Sequence, residues 1–265
     1  MKNESINPKI IEAALANGFS EEIKVFYYKN TDSTNTRAKF YAENEKNDSV
    51  ALFVAEEQSS GRGRFGRSFD SPSFDGLYFS LLIPKNKLPT GLELATPRAA
   101  VAVRDSILNM TGYHTRIKWV NDILAEEKKL CGILAEGVLS EDGVLTHIIL
   151  GIGINVKKRS FPEELRDIAT SLEDASGISV DRSLLCSEIV LSILSEKYTK
   201  DYILEEYRKN SAVIGQEITV RRLNGETFFA KCIGITDSGA LSVEKENGEI
   251  ENLISAEVSV KINNN

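Results

Sequence analysis

The chain has 265 residues, 42% of them hydrophobic, which suffices for one large core or for a large and a small one. Its 32 basic and 39 acidic residues give a net charge of −7, which excludes a general attraction to nucleic acids or anionic membranes. Three scattered cysteines match neither a disulfide framework nor a zinc site, so we expect a reducing compartment, the cytoplasm. Residues 1–20 lack the pattern of a signal peptide, and the most apolar stretch, residues 148–156, is too short to cross a membrane.

The first predicted element is a helical lead-in over residues 1–24. Its apolar residues recur at helical spacing and share one face; they are Ile10, Ile11, Ala14 and Leu15. Residues 25–212 form the predicted large domain, in which strands and helices mix. Val50–Ala55 and Leu77–Ile83 are apolar and β-prone, as buried strands are.

Further along, Thr96-Pro97 predicts an N-cap and the first position of a helix, which Gly112 would end. Residues 116–156 then predict a run of hairpins, because charged and glycine-containing turns separate the apolar segments. This pattern is typical of an α+β fold with a mixed, largely antiparallel sheet and helices on one face.

In the last third of the chain the pattern of predicted elements changes. Residues 181–210 predict a long helix or a helix pair, with Asp181 as its cap. Residues 213–265 predict about five short strands joined by turns such as Asn224-Gly225 and Asn247-Gly248. We expect a small SH3-like β-barrel there, with the domain boundary near Ala212.

The most informative segment is the loop Gly61-Arg62-Gly63-Arg64-Phe65-Gly66-Arg67, which follows a predicted strand. Its glycines allow positive φ and close approach of a ligand, and its arginines supply guanidinium forks that suit phosphate and carboxylate. It has neither the Walker A spacing nor the dinucleotide fingerprint. We interpret it as an anion cradle that moves and closes over its ligand. The alternative interpretation is a flexible basic loop or an RNA-binding stretch.

Three other polar segments are ambiguous when each is taken alone. Lys118–Asp122 is either part of a site or a surface lysine, a core tryptophan and a turn. Gly151–Asn155 indicates either close approach to a ligand or a β-bulge. Asp32–Asn35 is consistent with a helix cap, which is also compatible with a ligand site. We interpret His114 and His147 as structural residues. No residue pattern predicts a protein nucleophile or a fixed metal cluster, which favours chemistry by positioning and charge stabilisation.

Taken in order, these segments resemble the motifs of biotin protein ligases. The family pattern runs D-S-T-N, Q-x-x-G-R-G-R-x-G-R, K-W-P-N-D, K-x-x-G-I-L-x-E and G-x-G-I-N. The corresponding segments of this chain are Asp32–Asn35, Gln58–Arg67, Lys118–Asp122, Lys129–Glu136 and Gly151–Asn155. The resemblance covers about residues 25–260. Val120 stands where the family usually has proline, and Phe69 replaces a common tryptophan.

The resemblance implies ATP-dependent attachment of biotin to a lysine of a biotin carboxyl carrier domain, through biotinyl-5′-AMP, with Mg²⁺ assisting. It implies catalytic roles for Arg62, Lys129, Asp122 and Lys118. It implies a biotin site made of Ser33, Thr34, Asn35, Gln58, Gly61, Arg62, Gly63, Arg64, Lys129 and Gly132. The implied ATP and adenylate site comprises Arg64, Arg67, Phe69, Asn121 and Asn155. It also places Glu257 and Lys261 near the nucleotide.

Several expectations about partners follow from the same resemblance. The lead-in is too short for the winged-helix domain of family members that repress transcription, so we expect no nucleic acid and no membrane as partners. We expect a monomer or a homodimer, the latter through edge-to-edge pairing of the strand around residues 148–154. The alternatives are a lipoate–protein ligase, whose loop usually has an R-R-x-S-G-G-G-x-V pattern, and a nucleic-acid-binding module, which would bind with a steep salt dependence.

Overall fold

The computed structural model of the chain describes residues 5–45 and 48–260. The helices are α1 Pro8–Gly18, α2 Thr34–Asn44, α3 Ala95–Thr111, α4 Leu172–Ser176, α5 Arg182–Leu194 and α6 Lys200–Lys209. The strands of the large sheet are β1 Lys24–Thr31, β2 Ala51–Gln58, β3 Gly76–Pro84, β4 Arg116–Lys118, β5 Asp122–Ala125, β6 Lys128–Leu139 and β7 Leu145–Asn155. The strands of the C-terminal sheet are β8 Glu217–Arg221, β9 Thr227–Ile235, β10 Leu241–Lys245, β11 Ile250–Leu253 and β12 Glu257–Val260.

The seven strands of the large sheet lie in the order β1-β2-β3-β7-β6-β5-β4. β1 and β2 run parallel, and the other neighbouring strands run antiparallel. The predicted α+β class and the mixed, largely antiparallel sheet are therefore confirmed.

Helices pack on both faces of this sheet, so the prediction of helices on one face is wrong. On β3, Leu81 and Ile83 belong to the main core, against which α1, α3 and α5 pack. Leu82 lies between them in sequence and points to the opposite face, where it packs with Phe53 and with Ala38 of α2. Successive side chains of a strand point to opposite faces, which separates these two cores. Further along the strands, past the part that α2 covers, the same face of the sheet carries small and polar residues.

The helix boundaries follow local capping chemistry. Ile11 and Leu15 of α1 are buried, as the apolar pattern predicts. α3 begins at Ala95 with Leu94 as its N-cap, so Thr96 lies inside the first turn and its predicted capping role is wrong. Gly112 ends α3 in the left-handed region, at φ 70°.

Residues 181–210 form the helix pair α5 and α6. The side chain of Asp181 caps α5, accepting hydrogen bonds from the backbone N–H groups of Ser183 and Leu184 at 2.7 and 3.2 Å.

Strand β7 lies between β3 and β6 along nearly its whole length, with β3 paired from His147 to Asn155 and β6 from Leu145 to Ile154. Its backbone groups are therefore used within the chain, and the predicted edge-to-edge pairing through residues 148–154 is wrong. The edge strands of the described sheet are β1 and β4.

The C-terminal strands form one antiparallel sheet in the order β11-β10-β9-β8-β12. The predicted turns at Gly225 and Gly248 have φ of 87° and 82°, as tight hairpins require. In the part of the chain that the structure describes, no pairing joins β11 to β12, so a closed barrel is not established. Trp119 Nε1 donates a hydrogen bond to the Gly239 carbonyl at 2.9 Å, which connects the two sheets. None of the helices in the described ranges has the length and apolar character that crossing a membrane requires.

Candidate functional site

A strip of small and polar residues continues the α2 face of the sheet. Its members alternate along β3, β6 and β7; they are Tyr78, Ser80, Gly132, Glu136, Gly151, Gly153 and Asn155. A Cβ atom on Gly151 would lie 2.0 Å from Asn35 Oδ1, and one on Gly153 would lie 2.6 Å from Phe69 Cε1. The strand register does not shift at either glycine, so the β-bulge interpretation is wrong. The two glycines make room for side chains that lie across the strip.

The start of α2 is joined to the sheet by buried and partly buried hydrogen bonds. Gln58 Oε1 accepts from the backbone N–H and the hydroxyl of Thr34, at 2.8 and 3.1 Å. Ser80 Oγ lies 2.7 Å from Thr34 Oγ1 and 2.6 Å from Asn35 Oδ1. Ser33 occupies the N-cap position, as predicted for this segment, but its side chain makes no capping hydrogen bond. These groups converge at one end of the strip.

Glu136 extends this network to the arginine loop. One carboxylate oxygen accepts from Asn35 Nδ2 at 2.7 Å, and the other lies 3.0 Å from Arg62 Nη2. The carboxylate therefore holds an amide of α2 and a guanidinium of the loop at the same time. Sequence reasoning included Glu136 in a motif but gave it no role, and it gave no signal for Ser80.

The arginine loop folds as a tight hairpin. The Phe69 N–H donates to the Gly61 carbonyl at 2.9 Å, and the Gly63 N–H donates to the Arg67 carbonyl at 2.7 Å. A Cβ atom on Gly61 would lie 2.3 Å from the Phe69 carbonyl oxygen, so close strand approach requires glycine there. Phe65 sits at the tip with φ 58°. The movement of this loop stays a prediction.

The other two arginines of the loop reach the C-terminal sheet. Arg64 donates to Asn121 Oδ1 and the Ala256 carbonyl, both at 3.4 Å, and to Ser255 Oγ at 3.0 Å. Burial lowers the pKa of the Arg64 guanidinium, and the nearby negative charge of Asp122 opposes that shift. Arg67 forms a two-point ion pair with Glu257. Lys261, which was predicted to lie near the nucleotide together with Glu257, lies outside the described residues.

Lys129 and Asp122 form an ion pair on the neighbouring strands, with Nζ 2.7 Å from Oδ1. Lys129 Nζ also lies 6.0 Å from the centre of the Phe69 ring. A Cβ atom on Gly132 would lie 3.1 Å from Lys129 Nζ and 3.2 Å from the Phe69 ring, so the glycine leaves room for both. Lys118 is directly opposite Asp122 in the pairing of β4 with β5. A cation, a carboxylate and an aromatic face therefore lie over the same glycine.

Asn155 marks the far end of the strip and is buried. Its Oδ1 accepts a hydrogen bond from Arg159 Nη2 at 3.4 Å. The Arg159 guanidinium is held by Asp70, 2.8 Å away, and lies 4.2 Å from the centre of the Phe161 ring. The sequence gave no signal for Arg159, because it follows the last motif and meets Asp70 only through the fold.

A cavity of about 290 Å³ lies between the loop and the sheet. Arg62, Arg64 and Asn121 line it, together with Glu136 and Ser255. Gly63 also lines it. The remaining predicted residues do not line this cavity; they are Ser33, Thr34, Asn35, Gln58, Gly61, Arg67, Phe69, Lys118, Asp122, Lys129, Gly132 and Asn155. Within residues 5–45 and 48–260, no group of three or more His, Cys, Asp or Glu side chains is placed to hold a metal ion.

Both parts of the chain match known protein families. Residues 27–155 match the biotin/lipoate A/B protein ligase family, and residues 213–261 match the biotin protein ligase C terminal domain. The bifunctional ligase/repressor BirA of Bacillus subtilis (strain 168) is 37% identical over 95% of this chain and 79% of the relative. The biotin--[acetyl-CoA-carboxylase] ligase of Mycobacterium tuberculosis is 30% identical over 81% of this chain and 80% of the relative.

Among solved structures, the biotin protein ligase from Aquifex aeolicus in complex with biotin and ATP superposes with a TM-score of 0.73. It is 30% identical in sequence and covers 90% of this chain and 98% of its own. The sequence identity, the two matching families and the shared fold together show that the chain belongs to the biotin protein ligase family.

Proposed function

We propose that the chain attaches biotin to a lysine of a biotin carboxyl carrier domain, using ATP and passing through biotinyl-5′-AMP. The Aquifex structure that superposes on this chain contains biotin and ATP, and the curated relatives include biotin ligases. The observation that carries the proposal is that the start of α2, the arginine loop and Lys129 meet on one glycine-rich face of the sheet.

In the first step, a biotin carboxylate oxygen attacks the α-phosphorus of ATP, and the bond to the β-phosphate oxygen breaks to release pyrophosphate. Two anions must meet, so fixed cations lower the barrier by offsetting their repulsion. Arg62, Arg64 and Lys129 supply these cations. Glu136 and Asp122 hold Arg62 and Lys129 in place at 3.0 and 2.7 Å, which limits the reorganisation needed when substrate arrives.

Biotin itself would lie across the strip beside the start of α2. Its ureido ring offers N–H donors and a carbonyl acceptor, which suit the hydroxyl and amide groups of Ser33, Thr34, Asn35 and Gln58. The backbone of Gly61 and Gly63 would accommodate the rest of the molecule, beside the Lys129 ammonium and the Phe69 ring that lie over Gly132.

The adenosine part of ATP would lie toward the other end of the strip. Phe69 supplies an aromatic face for adenine, and Asn155 and Asn121 supply amide groups for its polar edges. Arg67, the third arginine of the loop, would add positive charge for the phosphates. Mg²⁺ would bind through the triphosphate oxygens, the ligands it prefers, and would reduce their negative charge.

In the second step, the amine of the carrier lysine attacks the biotinyl carbonyl. The new C–N bond forms, the bond from the carbonyl carbon to the phosphate oxygen breaks, and AMP leaves. Asp122 is the carboxylate placed to accept or orient the proton of the incoming amine. Lys118, opposite Asp122 on the neighbouring strand, would fix this corner of the pocket.

Several further features are part of the proposal. The three cysteines are free thiols, which supports a reducing compartment and hence the cytoplasm. The chain acts as a monomer or a homodimer, on a protein rather than a nucleic acid. Residues 25–212 would form the catalytic domain, and residues 213–265 a domain of SH3-like type.

The test is ATP–pyrophosphate exchange driven by biotin. Arg62→Ala and Lys129→Ala should each lower the exchange rate by about 10²–10³, the usual cost of removing one charge-stabilising donor. Lys128→Ala is the matched control, since its ammonium donates to the Arg166 carbonyl and not to the site. Rates within a few-fold of wild type for both site variants would contradict the assignment. Exchange driven by lipoate in preference to biotin would favour the lipoate–protein ligase alternative.

A further inference from the structure

The C-terminal sheet makes side-chain contacts with the arginine loop at the turn that enters β12. Glu257 Oε1 lies 2.6 Å from Arg67 Nη1, and Glu257 Oε2 accepts from Arg67 Nη2 at 2.7 Å. Ser255 Oγ accepts from Arg64 Nη2 at 3.0 Å, and the Ala256 carbonyl accepts from Arg64 Nη1. Three successive residues, 255–257, therefore bind two successive arginines of the loop.

These contacts join residues that are about 190 positions apart in the sequence. The loop also has a contact on its other side, because Arg64 Nη1 donates to Asn121 Oδ1 of the large domain. The guanidinium of Arg64 thus lies between the two domains. Ser255 lines the same cavity as Arg62 and Arg64, so the turn forms part of the cavity wall.

We propose that Glu257 is a positioning residue, which together with Ser255 fastens the arginine loop in its closed conformation over the cavity. Glu257 acts through Arg67 rather than by touching substrate, since the fork of Arg67 already occupies both of its carboxylate oxygens. The C-terminal domain then contributes to the reaction by keeping the loop shut while the adenylate waits for its acceptor. This inference rests on the proposed function for its catalytic consequence, although the fastening itself does not.

The fastening is measured without any substrate by limited trypsin digestion, which cleaves after the loop arginines only when the loop opens. Glu257→Gln should raise the rate of cleavage after Arg62 and Arg64 by about two- to fivefold, the range expected from losing one partly exposed ion pair. Raising the ionic strength should speed cleavage of the wild type and leave the variant nearly unchanged, because salt screens exposed charges.

The matched control is Glu251→Gln on the same sheet. Glu251 pairs with Arg222 at 2.6 Å and with Lys245 at 2.9 Å, so it loses comparable ion pairs without touching the loop. It should digest at the wild-type rate. Ser255→Ala is a second, independent variant that removes only the bond to Arg64, and it should also expose the loop.

Charge exchange separates fastening from a general loss of structure. Arg67→Glu alone should expose the loop, and Arg67→Glu combined with Glu257→Arg should restore protection of the bonds after Arg62 and Arg64. Unchanged digestion in both Glu257→Gln and Ser255→Ala, or equal digestion of Glu257→Gln and Glu251→Gln, would overturn the proposal.

The catalytic consequence is read from retention of biotinyl-5′-AMP in single-turnover release. Glu257→Gln should release it about two- to fivefold faster than wild type, in parallel with the digestion rate. If wild type forms no biotinyl-5′-AMP, the proposed function fails while the digestion result still decides the fastening. Faster digestion with unchanged release would overturn the catalytic role of Glu257.

Discussion

Replacing Gly151 by alanine tests the packing of the glycine strip. The new Cβ atom would lie 2.0 Å from Asn35 Oδ1, more than 1 Å short of nonbonded contact. The strand cannot retreat, because Gly151 pairs with Ser80 on one side and with Leu134 on the other. The Asn35 side chain must therefore move, and it is buried within hydrogen bonds to Ser80 and Glu136.

The cost follows from three contributions. Overpacking a tight site costs about 1–3 kcal/mol. Each buried hydrogen bond that Asn35 abandons costs about 1 kcal/mol more, and two are at stake. Replacing glycine by alanine within a strand stabilises the folded state by about 0.5–1 kcal/mol, which offsets part of this cost. We expect Gly151→Ala to lower the free energy of unfolding by about 2–4 kcal/mol in total.

Urea denaturation of a double-mutant cycle measures this directly. In an Asn35→Ala background the clashing group is absent, so Gly151→Ala should cost about 1 kcal/mol or less. The coupling between the two positions should then be about 2 kcal/mol. Equal costs of Gly151→Ala in both backgrounds would refute the reasoning, because they would show that Asn35 is not what the glycine accommodates.

Three further predictions concern the site and the thiols. Phe69→Ala should weaken ATP binding about tenfold, since aromatic stacking on a base contributes about 1–3 kcal/mol, and titration calorimetry measures the change. Asp122→Asn should slow transfer to the carrier lysine by about 10²-fold or more while slowing pyrophosphate exchange less, which single-turnover assays with preformed adenylate resolve. Burial raises the pKa of Cys131 and Cys186, and raises that of Cys232 to about 11, so none of the three should react with a thiol reagent at pH 8 until the chain is unfolded, as absorbance of the released chromophore shows.

The sheet and its order of elements were predictable because their signals are local. Apolar runs, turn residues and caps each act within a few residues, and the structure contains the Asp181 cap where the pattern places it, although Thr96 lies one residue inside its helix. The packing of α2 on the second face of the sheet was not predictable. α2 has a mostly polar sequence from Thr34 to Asn44 and buries only Ala38 among its apolar residues. No apolar stripe therefore indicates that this helix packs on the sheet.

The candidate site likewise combines features that local sequence motifs predict with features that only the fold determines. The motifs supplied Arg62, Lys129 and the glycines, yet they could not say whether Gly151 and Gly153 mark a bulge or a close approach. Only the register of β7 against its neighbours decides that question. Contacts such as Arg67 with Glu257 depend on the docking of two domains, for which a single sequence carries no local signal.

The central claim is tested most directly by transfer of label. The chain is incubated with ATP, Mg²⁺, labelled biotin and a biotin carboxyl carrier domain, with a carrier whose acceptor lysine is replaced by arginine as control. We predict label on the acceptor lysine of the first carrier and none on the second, with the label lost when ATP is omitted. Absence of label on the intact carrier, or label that lipoate displaces more readily than unlabelled biotin does, would contradict the account.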